Sequence, residues 1–149
     1  MRDVIQTVMG MIGAVGFAVL FHVKGKKLIA AAIGGALSWI VYLLVLGRYG
    51  DKALGLLAST VAVGILSEIL ARTMRTPVTI LLVPMLIPLI PGGDLYYTMS
   101  HLIRGQEEAF QESLALVIQE AGAIAFGIIL VTCIVHLLQR VWTPSVKRG

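Results

Sequence analysis

Long uncharged runs of apolar residues alternate with short polar connections along this chain. A membrane helix needs about 20 mostly apolar residues to cross a hydrocarbon core of roughly 30 Å. Neither a period-two barrel pattern nor an internal repeat is visible, and helices are the open-chain structure that satisfies the backbone in lipid. The pattern predicts an all-α integral membrane protein of one domain, residues 1–149, with about five spans at residues 4–21, 28–46, 53–71, 77–91 and 114–139.

The fourth run, residues 77–91, is short and rich in proline. If it were entirely helical it would reach only about 22 Å. Pro84, Pro88 and Pro91 lack a backbone N–H, so three carbonyls four residues earlier, including that of Ile87, lose their intrahelical partners. We therefore expect a half-helix that unwinds inside the membrane, and we refer to residues 77–91 as the broken segment. A re-entrant segment, which would leave four spans, is the alternative.

Unwound backbone at membrane depth persists where it is buried in protein or lines a wet cavity. Transporters often bind substrate at such breaks, where free carbonyls hold amines and helix N-termini hold carboxylates. Gly92 and Gly93 could turn their N–H groups toward a ligand without obstruction by a Cβ atom. Asp94 could cap the next helix or pair with a substrate ammonium. A structural kink followed by an ordinary exit turn is the competing interpretation.

A short amphipathic helix is predicted at residues 94–104. Its apolar positions recur at intervals that place them on one helical face, and Gly105 follows as a stop signal. Such a helix would lie in the membrane interface. The apolar positions are Leu95, Met99, Leu102 and Ile103.

The distribution of Lys and Arg predicts the orientation. With five spans, one side holds Lys24, Lys26, Lys27, Arg72, Arg75, Arg140, Lys147 and Arg148, and the other holds Arg2, Arg48, Lys52 and Arg104. The N-terminus is then outside and the C-terminus cytoplasmic. With four spans the two sides would carry equal numbers, so the count favours five. Lysines, and no small-residue cleavage site, follow the first run, which is therefore expected to be a retained span.

Composition excludes several function classes. Hydrophobic residues make up 58% and charged residues 13%, whereas soluble domains are about a quarter charged. The net charge is +4, but the basic residues flank apolar runs and form no basic stripe, so nucleic acid is not an expected partner. Cys133 stands alone, and the three histidines lack ligand spacing, so no metal site is expected. Neither a G-x-S-x-G elbow nor a phosphate-binding loop is present, so we expect no enzyme activity and no cofactor.

Two carboxylates lie within apolar runs, where ionisable residues are functional candidates by default. Glu68 could couple transport to protons, or could form an ion pair with Arg72 four residues later. Glu120 either reaches outward to the interface or, if its helix is set deeper, faces the bundle interior. Small residues at four-residue spacing allow helices to pack closely, within the chain or against another subunit. They include Gly10, Gly13, Gly16, Ala31, Gly34, Gly35, Ser38, Ala123 and Gly127.

The segment Pro88-Leu89-Ile90-Pro91-Gly92-Gly93-Asp94-Leu95-Tyr96-Tyr97-Thr98-Met99 resembles the P-x-x-P-G…Y-x-x-M signature of the threonine/serine exporter family, in its small membrane domain. Residues 27–39 resemble the second span of that domain, and residues 68–77 resemble the stretch before its broken segment. The resemblance covers about residues 15–131.

The resemblance implies a secondary transporter of a bacterial cytoplasmic membrane. Members export threonine and serine, or a dicarboxylate such as succinate, and the small domain is fused to a larger membrane domain or forms a separate subunit beside it. This chain looks like the separate subunit. The expected pathway residues are Pro84, Pro88, Pro91, Gly92, Gly93, Asp94 and Tyr96, with Glu68 and Glu120 as candidates for proton coupling. A non-transporting scaffold subunit and a homo-oligomeric channel are the alternatives.

Overall fold

The computed structural model describes residues 2–142, and within them every regular element is helical. The all-α class expected from the apolar runs is confirmed over this range. Lys147 and Arg148, which enter the charge count, lie outside the described residues. The elements are α1 (Arg2–Leu20), α2 (Lys26–Tyr49), α3 (Lys52–Thr73), α4 (Val78–Leu86), the 3-10 turn η1 (Ile87–Leu89), α5 (Gly92–Ile103) and α6 (Glu107–Trp142).

Four of these helices, α1, α2, α3 and α6, are long and apolar enough to cross a membrane. The stretch Val78–Leu89 and the helix Gly92–Ile103 meet the same test only together, and they are bent by 55° at their junction. The described chain therefore has four continuous candidate spans and one bent helix pair, which is either a broken fifth span or a re-entrant segment.

The four long helices pack side by side in the order α1, α2, α3, α6. Small residues bring them close. A Cβ atom at Gly35 of α2 would collide with the side chain of Ala14 in α1, and one at Gly127 of α6 would lie 2.9 Å from Thr60 of α3. These small residues therefore serve packing within the chain. Gly13 and Gly16 face open space instead, and so do not serve packing within the described chain.

The broken segment forms the core of the molecule. Helix α4 and η1 pack against α1, α2 and α3, and the side chains of Leu81, Met85 and Leu89 are almost completely buried. Pro84 is also buried and lies inside α4, where the helix continues past it. Packing by neighbouring helices compensates for one missing hydrogen bond. The regular helix stops only at Leu86, ahead of Pro88.

The broken segment runs from one end of the bundle to the other. At its start, the Lys27 ammonium donates a hydrogen bond to the Thr76 hydroxyl at 3.0 Å. Just after its end, Asp94 pairs with Lys52, the first residue of α3. This is the course that the five-span prediction requires. We call the end that carries Lys24, Lys26, Lys27, Arg72 and Arg75 the basic end. The opposite end, where the charged side chains of Lys52 and Asp94 meet, is called the cluster end.

Helix α5 departs from the prediction at its start. It begins at Gly92 with Pro91 as N-cap and no side-chain cap, so the predicted capping role of Asp94 is wrong. The Asp94 carboxylate bonds to Lys52 instead. Gly105 ends the helix region in the left-handed conformation, with φ of 68°. The four predicted apolar positions of α5 are exposed, while Thr98 on another face is buried.

Helix α6 begins at Glu107, ahead of the predicted residue 114. Its 36 residues correspond to about 54 Å, far more than a membrane core. Glu120 lies beside Lys52, and Gly127 and Val131 lie beside Thr60 and Gly64, so α6 runs parallel to α3 from Glu120 onward. The part of α6 before Glu120 extends beyond the start of α3 and packs on α5.

Candidate functional site

The chain turns sharply between η1 and α5. Ile90 is extended, and Pro91 has φ −75° and ψ 57°, with the Gly92 N–H donating to the Ile90 carbonyl at 2.7 Å. This is an inverse γ-turn. The Ile87 carbonyl accepts a bond from the Ile90 N–H at 3.2 Å. Two groups expected to be free for a substrate, the Ile87 carbonyl and the Gly92 N–H, are therefore used within the chain.

Gly92 and Gly93 sit in the first turn of α5 and are exposed. Neither has a positive φ, and a Cβ atom at either would meet nothing within 4 Å. Their backbone conformation therefore does not require glycine, and the lack of side chains leaves this wall open. The turn does place the positive end of the α5 dipole beside Asp94, where it favours negative charge.

Three charged side chains, Lys52, Asp94 and Glu120, converge next to this turn, and we call them the charged cluster. The Lys52 ammonium lies 2.9 Å from the Asp94 carboxylate and 3.6 Å from the Glu120 carboxylate. The Lys52 side chain is 46% exposed, whereas Glu120 as a residue is only 3% exposed. Helix α6 is thus set so that Glu120 faces the interior, the second of the two orientations considered from the sequence.

The charged cluster borders a cleft of about 210 Å³. Two buried polar atoms in it, the indole Nε1 of Trp39 and the Oε2 of Glu120, have no hydrogen-bond partner among the described residues. Buried polar atoms in native proteins are nearly always paired, so a ligand or water is their expected partner. The cleft is lined by Trp39, Tyr42, Leu56, Pro88, Leu89, Ile90, Pro91, Gly92, Gly93, Asp94, Tyr97 and Glu120.

The electrostatic balance of the cleft favours a ligand with positive charge. With all three groups ionised, the charged cluster has a net charge of −1, because two carboxylates share one ammonium. The Glu120 carboxylate has little access to water, so it is stabilised chiefly by Lys52. A cation, an ammonium group or a proton would complete the balance. The Trp39 N–H, on a residue that lines the cleft, and the Lys52 ammonium beside it are both hydrogen-bond donors that an anionic group could use.

Most of the site residues expected from the sequence meet in this cleft. Pro88, Pro91, Gly92, Gly93, Asp94 and Glu120 all line it. Pro84 does not, because it lies nearer the basic end and borders a different cavity. Tyr96 is 69% exposed and is outside the cleft, whereas its neighbour Tyr97 lines it.

Glu68 is also outside the cleft. It lies toward the other end of α3, and its carboxylate is 3.6 Å from the Arg72 guanidinium. The structural ion pair considered from the sequence is therefore present. The predicted span 53–71 corresponds to most of α3. Lys52 begins this helix and Glu68 lies near its end, so Glu68 and the charged cluster are separated by about 24 Å along it.

Sequence reasoning missed three residues of the site: Lys52, Trp39 and Tyr42. Lys52 was counted only as a loop charge, although a lysine at the first position of a span is a usable signal. Trp39 and Tyr42 lie three residues apart on α2, with ring centroids 5.1 Å apart. The spacing indicates a shared face, but nothing in the sequence connects that face to Glu120.

The comparisons place the chain in a family. The family model described as "Threonine/Serine exporter, ThrE" matches residues 6–134, which is most of the chain. Comparison with curated proteins and with solved structures finds no match. The matched region contains most of α1, all of α2 to α5 and most of α6, and with them the charged cluster and its cleft. The apolar helices and the family together identify a multi-pass membrane protein of exporter type, and the chain therefore belongs to the threonine/serine exporter family.

Proposed function

We propose that this chain is a subunit of a proton-coupled secondary exporter, and that the cleft at the charged cluster binds the exported amino acid, threonine or serine. The observation that carries the proposal is a combination of two features at the end of the broken segment. Buried atoms of Glu120 and Trp39 have no hydrogen-bond partner among the described residues, and the Lys52–Asp94 ion pair lies beside the same cleft.

A zwitterion matches the chemistry of the cleft. Its ammonium group would bind between the carboxylates of Asp94 and Glu120, where the balance of charge is negative. Its carboxylate would accept hydrogen bonds from the Lys52 ammonium and the Trp39 N–H. The substrate would replace the Lys52–Asp94 contact. The desolvation of Lys52 and Asp94 would be compensated by two charge-assisted contacts, one to the carboxylate and one to the ammonium of the substrate. The freed-carbonyl role expected for Ile87 is not part of this proposal.

A dicarboxylate such as succinate fits less well. It would bring two negative charges to a cleft that already holds two carboxylates and one lysine. Like charges at close range are unfavourable, more so where water is scarce. An amino acid is therefore the leading substrate, and a dicarboxylate is the second candidate.

Glu120 is the proposed proton carrier. It is the most buried carboxylate of the charged cluster, and the other titratable groups at the cleft are Lys52, Asp94, Tyr42 and Tyr97. Substrate ammonium and proton would compete for the same negative charge, so binding one would promote release of the other. Such exchange converts proton influx into amino acid efflux. The ion pair of Glu68 with Arg72 makes Glu68 the weaker candidate.

The proposed setting is a bacterial cytoplasmic membrane, with the N-terminus outside and the C-terminus cytoplasmic. The larger excess of Lys and Arg at the basic end supports that orientation. A larger membrane subunit of the same family is the proposed partner. The open wall at Gly92 and Gly93 supports this, because a second subunit could complete the cleft there.

An efflux assay in threonine-loaded cells tests the proposal. Cells would express this chain alone, the larger partner alone, or both, and we expect strong efflux only with both. Trp39→Phe keeps an aromatic ring on Tyr42 but removes the N–H, so we expect about tenfold weaker apparent affinity for threonine. Tyr96→Phe, which alters an exposed residue outside the cleft, is the control and should behave as wild type.

Two results would count against the assignment. Unchanged efflux after combined Pro91→Ala and Gly92→Leu substitution would remove the cleft from the pathway. Efflux by the partner alone at the full rate would favour the non-transporting scaffold. Conductance of the lone chain in bilayers would instead indicate the homo-oligomeric channel.

A further inference from the structure

A second cavity, of about 490 Å³, lies at the basic end. It is formed between the turn that joins α1 to α2 and the start of α4, so it shares no lining residue with the cleft at the charged cluster. Its residues are Phe21, His22, Val23, Lys24, Lys27, Thr79, Ile80, Val83 and Pro84.

The polar side of this cavity is positively charged. Lys24 and Lys27 both line it, and the hydrogen bond to Thr76 holds Lys27 in place. No carboxylate is among the lining residues. Within residues 2–142 the carboxylate nearest this end in the sequence is Glu68, which is already paired with Arg72. The lysines of the cavity therefore lack a compensating anion in the described part of the chain.

Helix α4 adds to this positive potential. It begins at Val78, and Pro77 at its N-cap supplies no side-chain hydrogen bond. The first N–H groups of a helix are unsatisfied by the helix itself and favour an anion. Thr79, in that first turn, lines the cavity together with the lysines.

The other side of the cavity is apolar and open. Phe21, Ile80 and Val83 line it and are 53%, 37% and 41% exposed. Helix α4 packs on α1, α2 and α3, so this exposed face looks away from the bundle. In a membrane protein such a face meets acyl chains. A free anion would leave this apolar wall uncovered, whereas the acyl chain of a lipid would cover it.

We propose that this cavity binds an anionic phospholipid of the leaflet at the basic end. The phosphate would contact Lys24, Lys27 and the first turn of α4, and an acyl chain would lie along Phe21, Ile80 and Val83. Basic pockets between membrane helices bind lipid head groups by this combination of charge and apolar contact. The lipid would join the α1–α2 turn to the start of the broken segment, and this role does not depend on transport.

Retention of lipid by the purified full chain tests the proposal. The chain would be reconstituted in phosphatidylcholine with and without phosphatidylglycerol, and bound lipid would be counted by native mass spectrometry. We expect one retained phosphatidylglycerol per chain. Lys24→Gln with Lys27→Gln should weaken its binding about thirtyfold, from about 1 kcal/mol for each lysine. Lys26→Gln with Arg75→Gln removes the same charge outside the cavity and should change retention little.

Lys24→Gln alone leaves the Lys27–Thr76 hydrogen bond intact, so it serves if the double variant folds poorly. It should weaken binding about fivefold. A second readout is the thermal stability of the detergent-solubilised chain, which phosphatidylglycerol should raise more than phosphatidylcholine does. Equal retention of the two lipids, equal losses in cavity and control variants, or stabilisation by inorganic phosphate alone would each overturn the proposal.

Discussion

Among the residues of the cleft, Glu120 is the one whose position most needs an explanation. A carboxylate that is 3% exposed is unfavourable unless it is paired, and here Lys52 is shared with Asp94. The second oxygen of Glu120 has no partner among the described residues. Both this oxygen and the Trp39 N–H belong to residues that line the cleft, so a ligand bound in the cleft could pair with them.

Removing Lys52 should expose this imbalance as a loss of stability. Lys52→Met leaves Glu120 buried beside Asp94 without a counter-charge. We expect a loss of about 1–3 kcal/mol in unfolding free energy, less than for a fully buried pair because Lys52 is about half exposed. Adding Glu120→Gln to Lys52→Met should restore most of it. Thermal unfolding in detergent measures both. If the changes in unfolding free energy caused by Lys52→Met alone and by Glu120→Gln alone simply add in the double variant, the two side chains do not interact as described.

At the scale of elements, the broken segment both contributes buried side chains to the core and forms part of the wall of the cleft. The prolines predicted that it would unwind, because each proline removes a backbone donor at a known position. They did not predict that Pro84 would be accommodated inside α4, because that depends on packing against α1, α2 and α3. The partner of Asp94 was also out of reach. Lys52 lies 42 positions away, and only the fold brings the two together.

Close packing of α1 on α2 depends on Gly35. A Cβ atom there would collide with the Ala14 side chain and lie 3.0 Å from the Gly10 carbonyl oxygen. Because backbone cannot move aside cheaply, Gly35→Ala should destabilise the chain by about 1–3 kcal/mol. Gly13→Ala, where a Cβ atom meets nothing within 4 Å, is the matched control and should be neutral or slightly stabilising. Equal melting temperatures for the two variants would contradict this helix packing.

At the scale of the whole molecule, the apolar runs predicted the number and order of the helices because hydrocarbon thickness sets their length. The extent of α6 could not be predicted in this way. Its first part, from Glu107 to the level of Glu120, is too polar to count as a membrane span, but Glu107 and Glu108 suit the first turn of a helix, and this part is helical and packs on α5. In the orientation proposed from the charge count, the charged cluster lies toward the outside.

Labelling of single cysteines tests that orientation. In a Cys133→Ala background, which removes the natural exposed thiol, Lys26→Cys should react with a membrane-impermeant maleimide only after the cytoplasmic side is opened. Gln106→Cys, in the exposed turn between α5 and α6, should react in intact cells. Labelling of both positions from one side would exclude the five-span course of the broken segment.

The role of Glu120 in coupling is the central claim, and proton-driven threonine efflux from proteoliposomes that contain this chain and its partner tests it most directly. Glu120→Gln copies the protonated side chain. It should abolish the stimulation by an imposed pH gradient, a loss of about tenfold or more, while threonine–threonine exchange continues only at higher threonine concentration, because Asp94 alone then binds the ammonium. Glu112→Gln, an exposed position on the same helix, should behave as wild type. If Glu120→Gln responds to the gradient as strongly as wild type, proton coupling does not pass through this carboxylate and the account fails.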